Sequence, residues 1–475
     1  MPLEYYAHLR GEITRVTLFE RFPQEAAAAA QRAWKAELGS VDPDEVDRRI
    51  RLAVPEHEPW VLCGGPPCQA FSVVGRVRNG GISDTDTRVY LYRQYLRILS
   101  VHEPPVFIME NVKGLLSSQL KGSEIFQQMI EDLRHPAGVG KVRTKSGARY
   151  RLYPLVRDQV ASDPAKAPRD TWEPGEFVVR CEDYGIPQSR HRVILLGVRE
   201  DVVCASVPAL KRHGKPVSAH SVLCGLPRIR SGLSRTEDGQ IQWQDALYAI
   251  RDLGFMRSRR TGDEQRVRER VLRTLYGMRE FSADRGNEFI PYRPSVDYRP
   301  DWFIDPALGG VCNHTSRPHM AADLHRYLFV ATYARIHGRS PELRDFPVEL
   351  LPDHRNLEDA LDKGYFDDRF RVQVSSRPAT TITSHIAKDG HYFIHYDESQ
   401  CRSLTVREAA RLQTFPDNYY FCGQRTHQYR QVGNAVPPLL ACQVAGIVAT
   451  LLLGISESAP QSAIPALASE GATNG

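Results

Sequence analysis

Trp60-Val-Leu-Cys-Gly-Gly-Pro-Pro-Cys68 is the stretch of this 475-residue chain from which the fold can be argued first. Its apolar start predicts a short buried strand. The Gly-Gly-Pro-Pro run predicts a rigid loop, because proline fixes φ and glycine permits tight backbone paths. Cys68 is therefore expected at the lip of a sheet, open to a ligand. A lone cysteine is more often structural filler, but this approach to Cys68 argues against filler.

Short apolar segments alternate with amphipathic helical segments from this stretch up to about residue 200. The alternation predicts an α/β fold with a doubly wound, mostly parallel sheet, whose ligands bind beyond the carboxyl ends of the strands. The predicted strands are Trp60–Cys63, Val106–Met109, Phe177–Val179 and Val193–Leu196.

The chain is long enough for two or three domains. We predict a catalytic domain over residues 1–200, a second, irregular domain over 201–400, a return to the first domain over 401–455, and a disordered tail over 456–475. The longest apolar stretch near the end, Val444–Ile455, is too short for a membrane span. The first residues carry early acids and no signal-like apolar region, so a cytoplasmic protein is expected.

Composition excludes few functions. The net charge of +5 is a weak indication of a polyanionic partner. The nine cysteines are scattered without a Cys-x-x-Cys pair, so neither a disulfide framework nor a metal site is predicted.

Two further segments carry chemistry. Glu110 ends the strand after the one before Cys68, so the two residues are expected to share one crevice, as a nucleophile and an acid would. Arg190 and Arg192 are two residues apart, so on an extended chain they face the same side and can present two guanidinium groups to one anion. Taken alone, Glu110 would be interpreted as a helix-cap partner. Charges on an edge strand are the less favoured alternative for the two arginines.

Two regions indicate a surface for a large ligand. Residues 72–87 are rich in glycine and read as a mobile flap. Arg257–Arg279 is a basic helix candidate, although its interspersed glutamates favour a solvated helix face.

Together these segments resemble the DNA (cytosine-5) methyltransferase family. The resemblance rests on five blocks that occur in the family's usual order: GGPPCQAFS at 64–72, ENV at 110–112, QSRHR at 188–192, RSLTVREAARLQTFPD at 402–417 and QVGNAVPP at 431–438. The variable stretch between the third and fourth blocks lies where the family carries its target-recognition domain.

The resemblance implies a fold and a reaction. The fold is that of an S-adenosylmethionine-dependent methyltransferase, and the reaction is methylation of cytosine C5 in double-stranded DNA on a flipped base, within a restriction-modification system. The site residues that it implies are Cys68, Glu110, Arg190 and Arg192 for catalysis, Pro66, Asn434, Ala435 and Val436 for the cofactor, and Gln69, Ser72, Arg76 and Gln188 for DNA. Arg190 is expected on a backbone phosphate, and a restriction endonuclease is an expected partner.

The sequence departs from the family before Cys68. The family's glycine-rich cofactor turn is not visible there, so we expect an N-terminally incomplete cofactor pocket. A late start codon, a second chain that supplies the block, and a decayed gene remain open as explanations. Asp47 matches a later cofactor-contacting acid only weakly, since a helix-surface acid explains it as well.

Two other functions stay open. A tRNA cytosine-5 methyltransferase shares the cysteine block but has a shorter recognition region. A catalytically silent DNA-binding remnant would bind duplex DNA with strong salt dependence and transfer no methyl group.

Overall fold

The computed structural model describes residues 1–54, 58–66, 92–117, 119–120, 123–138, 147–157, 159–160, 172–202, 206–257, 262–278, 284–352 and 369–458. The fold and the contacts are those of these residues. Cys68, Gln69, Ser72, Arg76 and the flap at 72–87 lie outside them, as does most of the predicted tail.

The strands, in chain order, are β1 Val61–Gly64, β2 Val106–Val112, β3 Gln119–Leu120, β4 Ser123–Glu124, β5 Tyr150–Pro154, β6 Gln159–Val160, β7 Val178–Arg180, β8 Gln188–Ser189, β9 His191–Arg199, β10 Ser206–Val207, β11 Gly232–Leu233, β12 Phe289–Pro291, β13 Gly310–Cys312, β14 Pro318–His319 and β15 Ala379–Thr380.

The helices are α1 Leu3–Leu9, α2 Arg15–Arg21, α3 Pro23–Arg32, α4 Pro43–Ala53, α5 Tyr92–His102, α6 Ile125–Arg134, α7 His220–Leu223, α8 Gln240–Tyr248, α9 Gly254–Arg257, α10 Gly262–Gly277, α11 Pro300–Phe303, α12 Ala321–His337, α13 Val406–Leu412, α14 Arg425–Asn434 and α15 Pro438–Ser458.

The chain divides into two compact units. One comprises residues 1–34, 180–191 and 211–443, and the other comprises residues 35–179, 192–210 and 444–475. This division differs from the predicted boundaries, because residues 401–443 belong to the first unit. The physical reason is visible at Arg411 on α13, whose guanidinium donates hydrogen bonds to the carbonyls of Val222 and Ser295.

The second unit contains the main sheet, in the order β1-β2-β9-β5, with β7 paired to β9. The four predicted strands are confirmed, but the prediction of a mostly parallel sheet is wrong. Strands β1 and β2 are parallel, whereas β9 runs antiparallel to both β2 and β5. Apolar runs report that a strand is buried and carry no information on its direction.

One face of this sheet builds the core of the second unit. Phe107 and Met109 of β2 and Leu195 of β9 point to that face, where they pack with buried residues of α5 and α6. Residues of the other parity point to the opposite face, where Val106, Ile194 and Leu196 are buried and Ile108 and Glu110 are half-buried. Glu110 is therefore partly accessible on this face.

The first unit has its own cores. The larger is centred on α12, with Trp243, Val271 and Tyr327 fully or almost fully buried. Another gathers α13 and α14 around Leu404, Ala409 and Val432.

Candidate active site

The site begins where β1 and β2 end side by side. The side-chain amide of Asn111 donates a hydrogen bond to the carbonyl oxygen of Pro66 at 3.4 Å, and its oxygen accepts one from the Val112 N–H at 2.8 Å. Asn111 is buried, so these bonds are shielded from water and fix the loop after β1 to the end of β2. No sequence pattern predicted this role for Asn111.

Gly65 lies directly against Glu110. A Cβ atom at position 65 would stand 3.2 Å from both the main-chain oxygen and the Oε2 atom of Glu110. Glycine is therefore the residue that lets the two strand ends approach so closely. Cys68 follows Gly65 by three residues in the chain.

Glu110 forms an ion pair with Arg192. The distance from Arg192 Nε to Glu110 Oε1 is 2.9 Å, and the two side chains are 24% and 14% exposed, for Glu110 and Arg192 respectively. In the β2–β9 register Glu110 stands opposite Ile194 and Arg192 opposite Val112, so the pair is a diagonal cross-strand contact on one face. Both charges remain partly accessible, which suits recognition of a polar ligand.

Arg190 occupies a different environment in the first unit. Its guanidinium is 2% exposed and donates hydrogen bonds to the carbonyls of Ile382, Gly433 and Ala435 at 2.7, 3.3 and 3.0 Å. The expectation of a solvent-facing arginine on a DNA phosphate is not met. The alternation breaks at this point, because Arg190 N–H bonds back to the carbonyl of Gln188 in a tight turn between β8 and β9.

Gln188 is also buried, contrary to its expected contact with DNA. Its amide nitrogen donates to the carbonyl of Leu412 and to Gln413 Oε1, while its oxygen accepts the Ile382 N–H at 2.7 Å. A fully satisfied, fully buried amide has no group left for a base. Both residues thus hold the fold of the first unit together.

The end of α14 carries the three residues expected at the cofactor. Asn434 is exposed, and Ala435 and Val436 are half-buried. The Ala435 carbonyl accepts hydrogen bonds from Arg190 and Gln413, which fixes the backbone and leaves the three side chains accessible.

Asp47 does not match its tentative assignment. It is buried on α4, where it binds Arg97 through both oxygens and His102 at 2.9 Å. The neighbouring charges lower its pKa in spite of burial, which raises it. Asp47 is a structural anion that joins α4 to α5.

Comparison with known proteins decides the family. A family model described as C-5 cytosine-specific DNA methylase matches residues 14–136 and 325–449, slightly more than half of the chain. This chain belongs to that family. The methylase is thereby a DNA (cytosine-5-)-methyltransferase by class, and the family uses S-adenosylmethionine and acts on DNA.

Individual relatives agree. The methylase is 32% identical to the type II methyltransferase M.Bpa9945I of Bacillus paralicheniformis over 83% of this chain and 71% of the relative. It is 28% identical to the type II methyltransferase M.AgeI of Thalassovita gelatinovora, over 86% of each chain. It is 23% identical to the DNA (cytosine-5-)-methyltransferase M.ApeKI of Aeropyrum pernix, over 82% of this chain and 81% of the relative.

The block at 402–417 is a buried charge cluster of the methylase. Arg402 binds both oxygens of Glu408 at 2.6 Å, and Arg411 binds both oxygens of Asp417 at 3.0 and 2.6 Å. All four side chains are at most 1% exposed. Thr405 closes a capping box at the start of α13. The sequence showed the block but not that it lies entirely inside.

An arginine-lined cavity of about 420 Å³ opens in the first unit of the methylase. It lies between α10, α12 and the loop at 397–399, and its charged lining residues are Arg228, Arg270, Arg273, Arg335, Asp397 and Glu398. Arg270 and Arg335 share the buried Glu398, whereas Arg273 is exposed. The net charge of these side chains is positive, which favours anions.

Among the described residues, no single helix is both long and apolar enough to span a bilayer. Helix α14 and the start of α15, bent by 41°, reach the required length and composition only as a pair.

Proposed function

We propose that this methylase transfers a methyl group to C5 of a cytosine in duplex DNA and that Cys68 is its nucleophile. The observation that carries the proposal is the Glu110–Arg192 pair, which lies beside Gly65 at the strand end leading to Cys68. An accessible carboxylate and guanidinium at that point can hold the polar edge of a pyrimidine.

The reaction needs a nucleophile because C5 of cytosine is itself a poor one. The Cys68 thiolate adds to C6, which makes C5 electron-rich, and C5 then takes the methyl group. Loss of the C5 proton to solvent and departure of the thiolate restore the aromatic ring. S-adenosylmethionine, when bound, supplies the electrophilic methyl group.

Glu110 and Arg192 act on the other side of the ring. Glu110 holds a proton at N3 and accepts a hydrogen bond from the exocyclic amine, which neutralises charge as it builds up in the transition state. Arg192 donates to the O2 carbonyl and fixes the Glu110 carboxylate through the 2.9 Å contact. Arg190 holds backbone segments of the first unit in place, because its guanidinium donates hydrogen bonds to the carbonyls of Ile382 and Ala435.

The cofactor contacts follow from accessible residues. Asn434 offers an exposed side-chain amide, and Ala435 and Val436 offer small apolar surfaces on a fixed backbone. The groups at 434–436 fit the polar and apolar parts of S-adenosylmethionine. Pro66, in the second unit, is half-buried with its carbonyl held by Asn111, and it remains a separate proposed contact.

The protein must bind the DNA while the target base leaves the stack. Unstacking and unpairing the base cost a few kcal/mol. We assign phosphate contacts to the arginine-lined cavity, and above all to Arg273, which is exposed on α10. Gln69, Ser72 and Arg76 remain proposed DNA contacts. Replacement of Arg273 by glutamine should lower the salt dependence of duplex binding by about one counterion, whereas Arg344→Gln, another exposed arginine of this unit, should not.

The biological setting is proposed from the relatives. Two of them are named type II methyltransferases. By extension, this methylase modifies a short specific site and protects it from a partner restriction endonuclease.

Methyl transfer from labelled cofactor is the direct test of the proposed function. Duplex DNA should be labelled and tRNA should not. Cys68→Ser should abolish the label, and Cys422→Ser, an exposed cysteine elsewhere in the chain, should retain it. Labelling of tRNA alone, or unchanged labelling by the Cys68→Ser variant, would refute the proposal.

A further inference from the structure

Three side chains of metal-binding type converge in the first unit, in the region between residues 211 and 300. They are His220, Cys224 and Asp297, and their potential ligand atoms all lie within 4.8 Å of one another. His220 begins the short helix α7 and Cys224 follows its last residue, so the two are one helical turn apart and lie on the same face.

The backbone brings Asp297 to this face. The N–H groups of Asp297 and Tyr298 both donate to the carbonyl of Ser221, at 3.0 and 3.2 Å. Just beyond Cys224, Gly225 allows the segments to meet, because a Cβ atom there would stand 2.1 Å from the Ser295 carbonyl oxygen. The closeness of the three ligands therefore follows from main-chain contacts.

The His220 ring is also oriented. Its Nδ1 atom lies 3.1 Å from the hydroxyl of Tyr396, and the two rings meet edge to face at 5.7 Å. A hydrogen bond of this kind to a ring nitrogen is the usual outer contact of a metal-ligating histidine, because it fixes the ring orientation.

The donor set selects the metal. One imidazole, one thiolate and one carboxylate are the ligands of Zn²⁺, and oxygen-preferring ions such as Mg²⁺ do not favour the sulfur. Tetrahedral Zn²⁺ with bonds of about 2.0–2.3 Å needs ligand separations of roughly 3.3–3.8 Å. The three atoms lie within 4.8 Å of one another, so each separation closes by at most about 1 Å. His220 and Asp297 are exposed, and the Asp297 side chain can make this adjustment while Tyr396 holds the His220 ring.

We propose that His220, Cys224 and Asp297 form a Zn²⁺ site with water as the fourth ligand. Binding replaces the thiol proton of Cys224, which is released to solvent as the sulfur–zinc bond forms. The bound ion joins α7 to the segment at 295–298 and so stabilises this part of the fold. The competing interpretation is a thiol that donates a hydrogen bond to Asp297, which, with burial, accounts for the raised pKa of Cys224.

The test uses the full chain, stripped with chelator and then titrated with Co²⁺ and Zn²⁺. Co²⁺ should produce a thiolate-to-metal charge-transfer band at one equivalent. Cys224→Ser should remove the band, whereas Cys442→Ser, which replaces another exposed cysteine of the same unit, should retain it. His220→Ala and Asp297→Asn should weaken Zn²⁺ binding at least tenfold, as measured by competition with a chromophoric chelator.

A thermal measurement adds a second readout. Zn²⁺ should raise the unfolding temperature of the unmodified chain and leave that of His220→Ala unchanged, since only the folded state assembles the site. His220 is exposed, so this variant should fold. Absence of the Co²⁺ band in the unmodified chain, or its persistence in Cys224→Ser, would overturn the proposal. Neither result depends on methyl transfer.

Discussion

Two arginine–glutamate pairs of this methylase have the same chemistry and opposite surroundings. Arg192 and Glu110 meet at 2.9 Å with 14% and 24% of their side chains exposed, whereas Arg402 and Glu408 meet at 2.6 Å with 1% each. Glu408 also accepts the Thr405 N–H, so its oxygens are fully used. Glu110 receives Arg192 on Oε1, and its Oε2 faces the space that Gly65 leaves open.

The comparison shows that membership of a sequence block does not define a residue's role. A buried pair with all donors and acceptors used contributes to the fold and cannot reach a substrate. A partly exposed pair at the end of two strands can exchange protein contacts for substrate contacts. The accessibility of the charge, more than its presence in a block, separates the two roles.

Among variants of the two pairs, Glu110→Gln is expected to have the largest effect, which is on the rate of methyl transfer. Loss of the ionisable group should lower the rate of methyl transfer roughly 100- to 10,000-fold, because the proton at N3 can no longer be exchanged. The denaturant midpoint should stay close to that of the unmodified chain. A variant that unfolds early but transfers methyl groups at the normal rate would reverse the roles assigned here.

Glu408→Gln is the matched change in the buried pair. It leaves the Arg402 guanidinium buried without its counter-charge, so unfolding free energy should fall by about 3–5 kcal/mol. The measurement is urea-induced unfolding followed by tryptophan fluorescence. Unchanged stability would mean that the cluster at 402–417 does not hold the first unit together.

Arg190→Lys should have the next largest effect. A lysine can replace at most part of the bonds to three backbone carbonyls, so we expect a loss of about 2–3 kcal/mol in stability. The salt dependence of DNA binding should not change. Normal stability of this variant, together with a smaller salt slope in Arg190→Gln, which removes the charge, would restore the phosphate contact predicted from sequence.

Acid should weaken the buried region gradually. Burial lowers the pKa of His314 and of His395 from 6.5 to about 4. Between pH 6.5 and about 4 the unfolded chain therefore binds protons at these histidines and the folded chain does not. The free energy of unfolding has its full value above pH 6.5 and falls as pH decreases through this range. Each histidine contributes a slope of up to about 1.4 kcal/mol per pH unit.

Urea midpoints between about pH 7.5 and pH 5 check this expectation. His314→Gln should flatten the slope, since glutamine can keep hydrogen bonds to Thr405 and Pro227 without titrating. An equal slope in the variant would assign the acid effect to other groups.

Part of this picture could be predicted from sequence. The apolar runs located the strands of the main sheet, and the strand-end position of Glu110 brought it to the end of β1. Strand direction could not be predicted, because an apolar run indicates that a strand is buried and carries no information on whether it runs parallel or antiparallel to its neighbours. The spacing of Arg190 and Arg192 predicted that both side chains face the same side of an extended chain. The turn at Gln188–Arg190 interrupts the extended chain, and the Arg190 side chain is buried instead.

The proposed metal cluster and the burial of the charges at 402–417 could not be predicted, for a related reason. Asp297 lies far along the chain from His220, and main-chain contacts bring it near. The carbonyls that bind the buried arginines of the block belong to distant residues such as Val222 and Cys312.

Covalent trapping shows directly whether Cys68 is the nucleophile that adds to cytosine. Duplex DNA with 5-fluorocytosine at the target base cannot lose its C5 substituent, so the account predicts a stable one-to-one complex in the presence of S-adenosylmethionine, with the nucleotide attached to Cys68 in peptide mapping. Cys68→Ala should give no complex and Cys422→Ser a normal one. If the chain methylates ordinary duplex DNA but forms no adduct at residue 68 with the fluorinated duplex, Cys68 is not the nucleophile.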